Sequence, residues 1–243
     1  YGDETLSISN VKFVTSEKNH DFIWSDSQNA PGRYCNNVSV DKCYFVATGE
    51  AKNTAVGLRI RQGKNIDVTR SVFEGMHSAM QMNGTLDIYV VGLEIKDSKN
   101  GISASGQNTL VVEDSRISVE GYGVRTDGAN NSEASISFAT INANLPIVVR
   151  EVKGAYNLTV ESGSYTASNE KGAAVTFTEG DDGTFVAPTA NATATIKVDV
   201  ATFGFEARIG NVYYTTLGNA LNAEGNENVT LLRPYTVAAS ETV

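Results

Sequence analysis

One eight-residue template, apolar–x–apolar–x–x–small–x–apolar, recurs along most of this 243-residue chain. It reads LSISNVKF from Leu6, VSVDKCYF from Val38, IDVTRSVF from Ile66 and LDIYVVGL from Leu86. It continues as LVVEDSRI from Leu110, ASISFATI from Ala134, LTVESGSY from Leu158 and IKVDVATF from Ile196. The start-to-start spacings are 32, 28, 20, 24, 24, 24 and 38 residues, so the unit is close to 24 residues where connections are short. A second, shorter pattern falls between the copies: GLRIRQ from Gly57, AMQMNG from Ala79, GISASG from Gly101 and GVRTDG from Gly123. PIVVRE from Pro146 and AVTFTE from Ala174 extend it. Its alternating inward positions are Leu58/Ile60, Met80/Met82, Ile102/Ala104, Val124/Thr126, Ile147/Val149 and Val175/Phe177.

Period-two alternation makes each piece a strand with one buried face. A unit this short, with two or three such strands, has too few apolar residues to close a core alone. Stacked units succeed because each coil covers the apolar face of its neighbours. The expected fold is therefore all-β: a parallel β-helix of about eight coils, a rod about 38 Å long at roughly 4.8 Å per coil. Right-handed winding is expected from the chirality of parallel crossovers. The 22 glycines, only 4 prolines and the near absence of helical periodicity before residue 215 agree with many short strands and tight turns.

The stretch NGISASGQNTLVVEDSRI, residues 100–117, resembles the consensus coil of the parallel β-helix repeat family, the pectate-lyase-like superfold. The resemblance covers residues 6–203 and implies the fold. That superfold hosts lyases, hydrolases, epimerases, adhesins and phage spikes, so it implies no single activity.

If coils stack in register, equivalent positions form columns. The small template position gives Val11, Cys43, Ser71, Val91, Ser115, Ala139, Gly163 and Ala201, a corner of close coil-to-coil approach. No asparagine ladder is legible beside it. Asp67 and Asp87 are the one carboxylate pair expected on adjacent coils of one column. They read either as a shared calcium site or as two solvated surface acids. On the outer side of the second pattern run Arg59, Gln81, Ser103, Arg125, Val148 and Thr176, and beside them Arg61, Asn83, Ser105, Asp127, Arg150 and Thr178. Arginine recognises carboxylates and hydroxyl-rich ligands through a planar fork of donors. Arg59, Arg61, Gln81, Asn83, Arg125, Asp127 and Arg150 are thus the candidate ligand surface. The competing reading is an ordinary solvated face, with an Asp127–Arg150 ion pair between adjacent coils.

A lyase or hydrolase of the resembled superfold implies clustered carboxylates. A calcium-bearing cluster beside a basic residue serves elimination, and neighbouring aspartates supply acid and base for hydrolysis. Only Arg59-Ile60-Arg61 faintly echoes the hydrolases' Arg-Ile-Lys motif. Neither histidine, in EKNHDF (His20) or GMHSAM (His77), lies in a Gly-His-Gly context. Asp181-Asp182, in TEGDDGTF, reads as a turn. Trp24, the only tryptophan, is expected to point inward in the first coil. Cys35 and Cys43 fit no zinc pattern; they read as reduced thiols, one in the core, or as a local disulfide.

The formal charge of -9 and a pI near 4.8 argue against nucleic acid and against electrostatic docking onto anionic lipid. No run approaches the roughly 20 apolar residues of a spanning helix, so no membrane insertion is expected. The opening YGDETLSISN shows no basic start or apolar run, so any export signal is absent from it.

After Phe203 the pattern changes. EARIGNVYYTT reads as a hairpin turning at Gly210-Asn211, TTLGNALNAEG as a short helix with Leu217, Ala220 and Leu221 on one face, and NVTLLRPYTV as a strand. IGNVYYTTLGNALNAEGNENVTLL resembles a module of large exported proteins of gut and Gram-positive bacteria. The expected organisation is residues 1–203 as β-helix and 204–243 as a capping segment. The expected role is that of a secreted or cell-surface bacterial module within a larger surface protein, non-catalytic and adhesin-like or glycan-contacting. Its expected partners are an extracellular glycan or a host protein, and the one cofactor considered is calcium. A carbohydrate-active enzyme and a rigid stalk are the alternatives.

Overall fold

The strands alternate too regularly to choose different neighbours. Each template copy finds its own predecessor and successor, and parallel ladders carry the chain round three faces. In the computed structural model, residues 5–26, 35–84 and 87–152 are described. Beyond them, 156–161, 164–167, 173–176, 178–179, 184–186, 194–198, 206–210, 212–214, 217–222, 228–232 and 234 are described.

Face one runs in parallel order through Leu6–Ser9, Cys35–Asp41, Gly63–Thr69 and Asp87–Val91. It continues through the second halves of the long strands Asn100–Glu113 and Tyr122–Ser137, then Tyr156–Glu161 and Ala194–Val198. Face two stacks Lys12–Thr15, Tyr44–Ala47, Val72–Glu74, Glu94–Ser98, Arg116–Val119, Thr140–Ala143 and Ser164–Ala167. Face three stacks Asp21–Asp26, Val56–Arg61, Ser78–Asn83, the first halves of the two long strands, and Leu145–Val152. The result is an all-β parallel β-solenoid.

Fewer turns are complete than the eight expected: about four are closed. Between residues 35 and 127 the inward positions on all three faces are buried, as with Ile66/Val68, Phe73 and Met80/Met82 in a single coil. Among the described residues, Leu6–Ser9 is paired on one side only, and Leu6 is half-exposed. At the other end, AVTFTE does not join the parallel ladder of face three. Ala173–Thr176 pairs antiparallel with Val212–Tyr214 instead of continuing face three, and Phe177 lies outside the described residues. Asp181 and Asp182 also lie outside them.

Packing follows the columns. On face two the rings of Phe13, Phe45 and Phe73 stack nearly parallel, with centroids 4.9 and 4.7 Å apart. That spacing is the coil rise itself, so like residues at one position pack face to face. From the first coil to the sixth, each described corner between faces one and two is turned by a residue in the left-handed region: Asn10, Lys42, Arg70, Gly92, Asp114 and Phe138, with φ between 46° and 67°. Beside it, Ser71 Oγ accepts from the Cys43 amide at 3.0 Å and Ser115 Oγ accepts from the Leu93 amide at 3.1 Å. The small column is therefore partly a hydroxyl bridge between coils. Cys43 is buried and free, and the Cys35 side chain lies outside those described.

Two details of register differ from the sequence expectation. Ile88, not Leu86, stands opposite Ile66, so the fourth copy begins two residues later and Leu93 takes the small position in place of Val91. Either choice satisfies the alternation, and only pairing with Ile66 and Leu110 selects between them. A short asparagine ladder also exists: Asn65 Nδ2 donates to Asn37 Oδ1 at 2.9 Å.

Near the C-terminus, Ala207–Ile209 and Val212–Tyr214 form an antiparallel hairpin, with Val229–Leu231 on the other edge of Ala207–Ile209. The helix Leu217–Leu221 buries Leu217 and Ala220 against Ala207 in a small second core. Leu232 packs against the main core. Among the described residues no helix is long and apolar enough to cross a membrane.

A Cβ added to Gly101 would lie against the carbonyl oxygen of Gly123 on the next coil, a backbone atom that cannot swing away. Gly101→Ala is therefore expected to destabilise the fold by about 2–3 kcal/mol. Gly218→Ala, in the short helix with nothing within 4 Å, is expected to be neutral or stabilising. Urea unfolding of both variants against the parent checks the contrast.

Candidate functional site

The strands of face three hold their outer side chains at fixed spacing, because the inner ones are locked in the core. Register pairs Arg59 with Gln81, Gln81 with Ser103, and Ser103 with Arg125. The neighbouring column pairs Arg61 with Asn83, Asn83 with Ser105, and Ser105 with Asp127. Between them these columns line a groove of about 540 Å³. Five of the residues expected from sequence meet there: Arg59, Arg61, Gln81, Asn83 and Arg125.

Of Asp127 and Arg150 only the backbone is described: Asp127 stands opposite Ser105 in the second column, and the register changes beside it on the next coil. The pairing Thr126–Val149 gives way to Gly128–Val152, an extra residue on one strand, so the two no longer stand squarely opposite. The expected Asp67–Asp87 column is broken by the shift at Ile88. Asp67 stands opposite Tyr89, and Asp87 opposite Thr109. The calcium site read from that column loses its geometry, and no group of three or more His, Cys, Asp or Glu among the described residues is placed to hold a metal ion.

Besides the inward Met82, three lining residues were not legible as site residues: His77, Asn100 and Tyr122. His77 lies in the bend before Ser78–Asn83, and Asn100 and Tyr122 are the first residues of their strands. Asn100 and Tyr122 immediately precede Gly101 and Gly123, so extending the second pattern one residue backward would have found them. Asn100 joins three coils. Its Nδ2 donates to the His77 carbonyl at 3.1 Å, and its Oδ1 accepts from the Tyr122 amide at 3.4 Å.

The cations are held in place. Arg59 Nε lies 3.3 Å from Asp21 Oδ2 on the preceding coil. The Arg125 guanidinium carbon sits 5.4 Å from the centroid of the Tyr122 ring, a cation–π contact that orients the fork. Between these ends the wall is low, since Ser103 and Ser105 carry only hydroxymethyl groups. Trp24 extends the Arg59 column by one coil, reversing the inward placement expected of it. Ile23 pairs with Leu58 and takes the core position, which leaves Trp24 in register with Arg59 and 64% exposed.

His77 sits at the rim, where the groove wall removes part of its water and Lys99 and Arg59 add positive charge. Both effects hold its pKa below the ordinary 6.5. The ring is therefore neutral at pH 7, with Nδ1 3.4 Å from Ser78 Oγ. As the pH falls, the unfolded chain takes up this proton first. Stability linked to His77 is complete above about pH 6.5 and is lost progressively as the pH falls toward its lowered folded value. His77→Gln should make the decline in urea stability between about pH 7.5 and about pH 5 shallower than in the parent.

Comparison of the chain with protein-family models, with curated proteins and with solved structures returned no match in any of the three.

Proposed function

We propose that the chain is a non-catalytic, extracellular module that holds an acidic glycan along face three. One observation carries this reading: Arg59, Arg61 and Arg125 gather in a single groove of a chain whose net charge is -9. A surface shaped only for solubility in such a chain has no reason to concentrate guanidinium groups. The other lining groups suit sugars. Gln81, Asn83 and Asn100 offer amide donors and acceptors, Tyr122 a ring and hydroxyl, and exposed Trp24 a flat apolar platform beside Arg59. The core fixes the strands beneath, so little ordering entropy is lost on binding. A plain stalk would need none of this. Export to a bacterial surface, an adhesive role and neighbouring domains belong to the same proposal.

A second reading, a carbohydrate-active enzyme, draws on the presence of His77 and Tyr122 in the groove, two groups able to move protons. Among the described residues, no paired carboxylates line the groove to support it. Turnover of an acidic polysaccharide that disappears in Arg61→Gln or Arg125→Gln would replace the binding proposal with this one.

Screening the purified chain on a glycan array, followed by calorimetry, tests the proposal. Acidic oligosaccharides should bind and neutral ones of equal length should not. Arg59→Gln and Arg125→Gln should each weaken binding about tenfold or more, as loss of a charge-assisted pair implies. Binding that is indifferent to both substitutions would place the ligand elsewhere.

A further inference from the structure

We infer that the groove selects glycans that carry their negative groups at intervals, with uncharged sugars between, over glycans charged on every unit. The inference rests on the acidic-glycan reading of this groove and adds the pattern of charge. Its basis is how the columns distribute cations. Arg59 and Arg61 lie on one coil, and Arg125 lies three coils farther on, a backbone separation of about 14 Å at roughly 4.8 Å per coil. In these columns the two coils between present Gln81, Asn83, Ser103 and Ser105 and no arginine or lysine; His77 and Lys99 precede those strands, His77 at the groove rim.

A linked pyranose ring advances by a distance close to one coil step, so a glycan along the axis sets roughly one sugar over each coil. Arginine side chains sweep more than one step. The two cationic ends therefore serve negative groups two or three sugars apart. A chain charged at every unit would lay further carboxylates over Gln81, Asn83, Ser103 and Ser105. These amide and hydroxyl groups meet a neutral ring well and repay the desolvation of a carboxylate poorly. The small serines also leave room over the middle of the groove, where a substituent on a neutral sugar can lie. Ser103 is itself nearly covered, which leaves its column low rather than open and empty.

The test is calorimetric binding of two soluble oligosaccharides of equal length. One alternates a uronate with an N-acetylated hexosamine, and the other is a homopolymer of uronate. The alternating oligosaccharide should bind about tenfold more tightly. Ser105→Arg, which adds a cation at a half-exposed position of the middle coils, should narrow or reverse that preference. If the homopolymer binds equally or better to the parent, the inference is overturned while the acidic-glycan reading stands. If neither oligosaccharide binds, both fall.

Discussion

Everything in this molecule depends on hydrogen bonding between successive coils. A coil of 22 to 24 residues has no partner for its strand edges except the next coil, and its apolar residues have no cover except their counterparts one step along. The two requirements are met by the same register. When Leu110 pairs with Ile88 and Ala134, its amide ladder and its side-chain contacts are settled together. The stacked rings of Phe13, Phe45 and Phe73 show the same coupling, because their separation repeats the backbone spacing. A slip of one residue would turn every inward side chain outward, which makes the stack cooperative over many coils.

The groove is a by-product of that register. Residues about 22 apart in sequence become neighbours, so Gln81 and Ser103 meet without any device of their own. What is particular to this chain is what has been placed in the outer columns. The arginines are braced, one by Asp21 and one over Tyr122, and Asn100 ties the turns of three coils into a single rim. Rigid presentation of a few donors is a good basis for recognising a stiff, hydroxyl-rich polymer, since neither partner loses much freedom.

The solenoid and most of its core were legible because alternation is a local property that each copy repeats. The inward pairs Leu58/Ile60, Met80/Met82, Ile102/Ala104 and Val124/Thr126 are all buried as read. Five groove residues followed from the same count. The misplaced fourth coil has a plain cause: alternation fixes parity but not phase. Leu86 and Ile88 are equivalent by pattern, so the fourth coil was set two residues early and the Asp67–Asp87 column was drawn where none exists. Trp24 and Ile23 differ by one residue in a coil with no preceding copy to align it, and the larger apolar residue was the natural choice for the core. His77 falls in a bend, and Asn100 and Tyr122 open their strands one residue before the repeated pattern begins.

The sequence alone determined that the chain would be an all-β stack of parallel coils, since its units are too small to fold singly and too alike to pack otherwise. It also determined which residues could line the outer face, because parity assigns every strand residue to one side. The tertiary structure decided the phase of each coil, and with it which charges stand together. It also decided that Ala173–Thr176 pairs antiparallel with Val212–Tyr214, while Ala194–Val198 carries the face-one parallel ladder one step farther. Register is a property of pairs of strands, and pairs far apart in sequence exist only once the chain has folded.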